Sequence, residues 1–386
     1  MRIIPADGQR RREVAVLVGL RTGRAPRWVA EDSLEELARL AESAGASPRH
    51  TILQERPAPD PRTLIGAGKV EELRTLCRGG VDLVIVDEDL SGSQQRNLER
   101  ELGCKVIDRA GLILDIFAQR AMTREGKLQV ELAQLQYLLP RLTRRWTHLE
   151  RLGGGIGTRG PGETQLESDR RRLRVRMARI RRDLRKVRRH RGVLRRPRQK
   201  VPIPTLALVG YTNAGKSSLL NALTHASVYV ADKLFATLDP TLRKVQLPSG
   251  RPALLSDTVG LIRKLPAQLV QAFKATLEEV QEADALVHVI DASHPQAAEQ
   301  RAVVERVLEE LGVAGKPVLA VHNKIDLLPE AAAAALTRQE GPVAISALTG
   351  QGLPALRKAL DALLDATGIA SPVSRSEAVA QERGQR

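Results

Sequence analysis

Gly210-Tyr211-Thr212-Asn213-Ala214-Gly215-Lys216-Ser217 lies between an apolar run, Thr205 to Val209, and an amphipathic run, Ser218 to Leu223. Strand, glycine loop and helix, in that order, is the context in which a backbone curls around phosphate. The glycines let successive N–H groups turn inward. The helix N-terminus adds partial positive charge. Lys216 can reach outer phosphates, and the Ser217 hydroxyl can hold Mg²⁺. The plain alternative is a glycine turn ahead of an ordinary helix. The complete eight-residue spacing argues against it.

Three later stretches address the base. Asp257-Thr258-Val259-Gly260 ends a second apolar run. A carboxylate there can hold Mg²⁺ through water, and a glycine N–H can meet the terminal phosphate. Asn323-Lys324-Ile325-Asp326 ends a third run. A buried carboxylate at its end accepts two hydrogen bonds from guanine and is left unpaired by adenine. Ser346-Ala347-Leu348 follows Val343 to Ile345 and can close over the base. Each tetrapeptide alone reads as a loop. In this order, at successive strand ends, they resemble a GTPase of the translation-factor-related class.

The 386 residues suggest two or three domains. Cys77 and Cys104 show no paired spacing, which fits a reducing cytosol and offers no thiol–metal site. The seven histidines have no ligand spacing, so no metal beyond Mg²⁺ is expected. No apolar run approaches the ~20 residues of a membrane span. The N-terminus lacks a signal-peptide core. The net charge of +16 is concentrated. From Arg170 to Lys200 there are seventeen Arg or Lys and one acid, Asp183. Nucleic-acid phosphate suits that density. A solvated helix face is disfavoured, because like charges at (i, i+4) repel.

Residues 1–110 alternate strand and helix, so a small parallel α/β subdomain with crossover helices is expected. Val14–Val18, His50–Leu53, Val81–Val86 and Cys104–Ile107 read as strands. Ser33 to Ala41 reads as a helix with Ser33 as N-cap and Glu36 completing the cap. Gly66-Ala67-Gly68-Lys69 lacks phosphate-loop spacing and reads as a turn. Asp87, Glu88 and Asp89 read as loop surface.

Residues 111–200 change character. Leu128, Leu132, Leu135, Leu139, Leu142, Trp146 and Leu149 are spaced by four and three. Leu166, Leu173, Met177, Ile180, Leu184 and Val187 continue the seam after a break. Two long helices in an antiparallel hairpin are expected, the first kinked at Pro140 and the second basic. The tip, Gly153 to Gly162, contains a G-x-G-x-x-G that no strand precedes, so a dinucleotide site is rejected. It reads either as a flexible loop or as a backbone-rich loop against RNA, flanked by Arg145, Arg151 and Arg159. Residues 201–366 alternate strand and helix again, with a β-hairpin from Leu242 to Ser256. Residues 367–386 read as a polar, disordered tail.

The P-loop domain, the run Leu234 to Thr241 and above all Gly153 to Glu167 (GGGIGTRGPGETQLE) resemble the bacterial HflX GTPase family. The resemblance spans roughly residues 10–366. It implies an N-terminal α/β subdomain, an antiparallel helical hairpin and a Ras-like P-loop GTPase domain. It also implies GTP as substrate with Mg²⁺ and binding to the large ribosomal subunit and its RNA. Action on stalled or stress-inactivated ribosomes, including subunit separation, is implied as well. By motif, Gly210 to Ser217 would hold the phosphates, with Lys216, Thr237 and Gly260 catalytic. Thr237, within Phe235-Ala236-Thr237-Leu238-Asp239, would join Ser217 on the metal, with Thr241 the alternative. Asp257 to Gly260 would form the second switch. Asn323 to Asp326 and Ser346 to Leu348 would hold guanine. A monomer is expected, cytoplasmic and in part membrane-peripheral without integral insertion. The family's association with ATP-dependent RNA remodelling meets no second P-loop here. Some members carry a further C-terminal domain, whereas a short polar tail follows residue 366 in this sequence, so no function of that domain is expected. A ribosome-assembly GTPase and a non-catalytic RNA-binding protein with structural GTP are the competing readings.

Overall fold

The computed structural model describes residues 12–23, 26–144, 161–195, 203–224, 234–235, 237–239, 241–264, 274–313 and 315–366. They separate into two compact units, divided after Val187.

In the first unit, β1 (Val14–Thr22), β2 (Ser47–Arg56), β3 (Leu83–Val86) and β4 (Lys105–Asp108) form a parallel sheet in the order β2-β1-β3-β4. Parallel strands need crossovers. These are α1 (Arg27–Ala44), α2 (Ala67–Arg78) and α3 (Gly92–Leu102), while α4 (Arg109–Arg120) follows β4. Helices cover both faces, so β1 is buried continuously from Ala15 to Leu20. Val16, Val18, Val84 and Val106 pack with Val70, Leu73, Leu98 and Leu102 of α2 and α3.

Two expectations fail at the opposite face. The first helix begins at Arg27 behind Pro26, so Ser33 is not its N-cap. Ser33 is buried within α1, and its hydroxyl donates to Asp87 (2.7 Å). Asp87 is itself buried rather than loop surface, because Arg109 lies against it. The Arg109 guanidinium donates to Asp87 (2.8 Å), to Glu36 and to the Ser33 carbonyl (2.9 Å). Burial opposes its charge, but the two carboxylates outweigh burial and hold it protonated.

The helical region begins with α5 (Arg124–Leu138), capped by Thr123. The long kinked helix does not form: α5 ends at Leu138, and residues 139–144 wind as a 3₁₀ turn. Pro140 has no N–H to continue the ladder. The buried stripe of α5 is also displaced from the leucine seam. Gly126, Val130, Ala133 and Tyr137 are buried, while Leu128, Leu132, Leu135 and Leu139 are half-buried. The second arm, α6 (Pro161–Arg195), follows its pattern: Met177, Ile180 and Leu184 are buried and Leu173 and Val187 half-buried. Arg176 pairs with Glu131 at 2.8 Å. Asp169, Arg172 and Leu173 share a cavity with Tyr137, Leu138 and Leu142. Rising numbers on α5 thus meet falling numbers on α6, which makes the two antiparallel. The glycine-rich tip, Gly153 to Gly160, with Arg145, Arg151 and Arg159, lies outside the described residues.

The second unit is a six-stranded sheet, β5 (Thr205–Gly210), β6 (Thr241–Gln246), β7 (Pro252–Asp257), β8 (Ala285–Asp291), β9 (Val318–Asn323) and β10 (Val343–Ala344). The order is β10-β9-β8-β5-β7-β6, and β6 alone runs antiparallel, as a hairpin on β7. Its helices are α7 (Lys216–Thr224), α8 (Lys274–Glu282), α9 (Ala297–Glu310), α10 (Glu330–Thr337) and α11 (Leu353–Ala366). Leu206, Leu208, Val287 and Val289 pack against Leu219, Leu220, Leu356 and Leu360. From β5 the chain proceeds to β7 on one side and β8 on the other. Such a reversal opens a crevice at the strands' C-terminal ends. Among the described residues, no helix is long and apolar enough to cross a membrane.

Candidate nucleotide site

The C-terminal ends of β5, β7, β8, β9 and β10 meet at this crevice. The loop after β5 curls from Gly210 to Gly215, and Lys216 opens α7. Gly215 has φ +92°, and a Cβ there would collide with the Asn323 amide, so only glycine fits. Gly260, after β7, packs onto Thr212: a Cβ would lie 2.6 Å from the Thr212 Cα.

The phosphate-binding groups are engaged by the chain itself. Lys216 Nζ donates to the carbonyls of Gly210 (3.1 Å) and Tyr211 (2.8 Å). The Thr212 N–H donates to the Leu261 carbonyl (2.8 Å), and the Leu261 N–H to the Gly210 carbonyl (3.1 Å). The hydroxyls of Ser217 and Thr237 donate to Asp257 Oδ2 at 2.5 and 2.8 Å and lie 2.8 Å apart. Asp257 Oδ1 is buried without a hydrogen-bond partner. Burial lowers Lys216 to about 8, against the pull of Asp257. Burial likewise raises Asp257, against Lys216 and the two hydroxyls.

Of the two threonine candidates, Thr237 joins Ser217 and Asp257, whereas Thr241 begins β6. Phe235 is buried at φ +57°, its N–H on the Thr212 hydroxyl (3.3 Å). Leu238 is buried and Asp239 half-buried, and Ala236 lies outside the described residues. Thr258 lines the cavity while its hydroxyl ties back to the Leu208 carbonyl (2.5 Å), and the Val259 side chain is buried. Leu261 and Ile262 are buried and apolar.

On the base side, Asn323 is a brace. Its amide donates to the Ala214 carbonyl (2.8 Å) and accepts from the Ala347 N–H (3.0 Å). Ile325 is buried and donates its N–H to the Ile345 carbonyl (3.2 Å). Ser346 is buried, its hydroxyl accepting from the Thr349 N–H (3.1 Å). The expectation of a buried carboxylate at Asp326 fails: Asp326 and Leu327 are the last two residues of a one-turn 3₁₀ helix, Ile325–Leu327, on the cavity rim and are exposed. Leu348 is 86% exposed opposite them. The cavity between them is about 360 Å³ and runs from Asp326 and Leu348 past Asn323 to Lys216 and Gly260.

One residue of the site was missed by sequence reasoning. Asp291, at the end of β8, pairs with Lys324 Nζ at 2.6 Å. Its other oxygen accepts from the Ser293 N–H (3.1 Å) and hydroxyl (2.6 Å). An acid ending a strand beside the strand of Asn323 was the available signal.

This geometry agrees with independent likenesses. Residues 31–118 match a family described as GTP-binding GTPase N-terminal, 120–198 the GTP-binding GTPase middle region, and 205–324 the 50S ribosome-binding GTPase. A GTPase HflX of Caldanaerobacter subterraneus is 56% identical over 299 residues, covering 77% of this chain and 70% of its own. The chain belongs to the HflX GTPase family. The HflX of Escherichia coli K12 is 51% identical over 85% of this chain and 78% of its own. That of Magnetococcus marinus is 48% identical over 93% and 85%. A crystal structure of SsGBP in complex with GDP is 27% identical with a TM-score of 0.50, covering 91% of this chain and 98% of that one. As an HflX protein the chain binds guanine nucleotide and hydrolyses GTP.

Proposed function

We propose that this GTPase binds the large ribosomal subunit and acts on stalled or stress-inactivated ribosomes, separating their subunits. One observation supports the catalytic part: Gly215, Lys216, Ser217, Thr237, Gly260 and Asp326 line one cavity. The match of residues 205–324 to a 50S ribosome-binding GTPase supports the partner.

Binding is an exchange. Incoming phosphates take Lys216 from the Gly210 and Tyr211 carbonyls and the Thr212 N–H from Leu261. Mg²⁺ fits the residues present, because Asp257 carries a buried oxygen that lacks a partner beside two hydroxyls. Ser217 and Thr237 would hold the ion and Asp257 a water upon it, and the ion would neutralise charge on the phosphates. Gly260 offers its N–H to the terminal phosphate. Lys216 and the loop amides stabilise charge as the phosphoryl group transfers. Asp326 reads the guanine edge, with Leu327 and Leu348 flanking the base. The exposed arginines of α6, including Arg172 and Arg174, would face RNA.

Sucrose-gradient sedimentation of mature ribosomes with this protein tests the reading. GTP or a non-hydrolysable analogue is expected to convert joined ribosomes to subunits, and GDP is not. Intact ribosomes alongside retention on immature large-subunit particles would mean a role in assembly instead.

A further inference from the structure

Cys77 and Cys104 are the only cysteines in the chain. Their spacing of 27 residues carries no signal, yet the fold brings their sulfurs to 2.8 Å. Cys77 is in the last turn of α2, and Cys104 immediately precedes β4, the edge strand of the first sheet. Both are half-buried and pack on the core beneath α2 and α3. Both belong to the first unit, whereas the nucleotide site belongs to the second.

We propose that Cys77 and Cys104 form a modification site: a dithiol that a hydroperoxide converts reversibly to an intramolecular disulfide. At this distance either thiol can donate its S–H to the other, so either can be left as the thiolate that attacks. Written for Cys77 as the attacking sulfur, the electrons move in two steps. A sulfur–oxygen bond forms as the peroxide O–O bond breaks, leaving a sulfenic acid on Cys77 and one water. Cys104 then attacks that sulfur. The sulfur–sulfur bond forms, the sulfur–oxygen bond breaks, and a second water leaves with the remaining thiol proton. The two sulfurs together lose two electrons and the peroxide gains them. Burial pushes both thiols up, so the reaction is slow at neutral pH and quickens as pH rises.

The bond staples the residue that leads into the edge strand β4 to the last turn of α2. It also fixes the neighbours of Cys104, namely Lys105, Val106 and Ile107, which line a cavity of about 610 Å³. A cross-link closing this loop raises the melting temperature of a unit this size by roughly 10 °C.

The test uses the full reduced chain treated with hydrogen peroxide. Maleimide labelling after denaturation is expected to fall from two thiols per chain to none. The protein should remain monomeric on a non-reducing gel, and dithiothreitol should restore both thiols. The first unit's melting transition should rise, and GTP hydrolysis should be unchanged. Cys77→Ser and Cys104→Ser should each retain one thiol that ends as a sulfenic or higher acid, with no rise in melting. Stable oxygen addition to the native chain, intermolecular dimers, or unchanged melting after both thiols are consumed would each overturn the proposal. The native-chain thiol count decides even where a serine variant folds poorly.

Discussion

Replacing Asp326 by Asn exchanges two acceptors for one acceptor and one donor. Hydrogen bonds to a charged group contribute about 1.5–3 kcal/mol each, so guanine affinity is expected to fall roughly a hundredfold. Xanthine nucleotides, which present an acceptor there, should gain. Parallel titrations with GTP and XTP check this, and an unchanged preference would remove Asp326 from the base site. Asp291 makes a different prediction. It fixes the Lys324 ammonium and does not itself line the cavity, so Asp291→Asn should weaken GTP and ITP by the same factor, about tenfold. A changed ratio between them would assign it an edge contact. At this scale the legible residues were those whose partners are local. Gly215 and Lys216 belong to one loop and follow from spacing. Ser33 and Asp87 were misread because Arg109, which organises both, is 76 and 22 residues away. A capping box and a surface acid were the best readings that nearest neighbours allow.

The α6 helix carries its charge on exposed faces, with Arg172 at 79% and Lys186 at 81% exposure. Replacing Arg172, Arg174, Arg179 and Arg182 by Gln should lower the salt dependence of RNA binding. Every phosphate deprived of its arginine should flatten the log–log slope by about 0.7–0.9. An unchanged slope would place those charges in solvent. In β8, His288 is buried, and burial lowers it to about 4. An unfolded imidazole titrates near 6.5. Between those values the unfolded chain takes up a proton that the folded chain does not. Stability of the second unit therefore falls as pH drops from 6.5 toward 4 and is indifferent to this group above 6.5. The slope is up to about 1.4 kcal/mol per pH unit. His288→Gln should flatten it in denaturant melts across that window. Periodicity read α6 well, because one stripe faces the protein. It misplaced the stripe of α5, whose small residues Gly126 and Ala133 are buried while its leucines are only half-covered. Spacing registers large apolar residues and is blind to close packing through small ones.

The first unit has a parallel sheet and the second a sheet parallel except at β6, and both the alternation of strand and helix and the β6–β7 hairpin were readable. The proximity of Cys77 to Cys104 was not, since it arises only when α2 and β4 settle on the same sheet. In Ras-like enzymes a glutamine after the second-switch glycine orients the attacking water. Here Leu261 and Ile262 follow Gly260, both buried and without hydrogen-bonding side-chain atoms. Lys216, the loop amides and the metal can stabilise the phosphates, and neither side chain at those two positions can align a water. On the proposed function, hydrolysis by the isolated protein is accordingly expected to be slow, with the ribosome supplying what is missing, either by ordering the Thr237 segment or by contributing a group. Steady-state phosphate release from GTP, with and without purified large ribosomal subunits, tests this most directly. The account predicts a low basal rate that large subunits raise by an order of magnitude or more. A fast rate from the protein alone, with no response to large subunits, would contradict it.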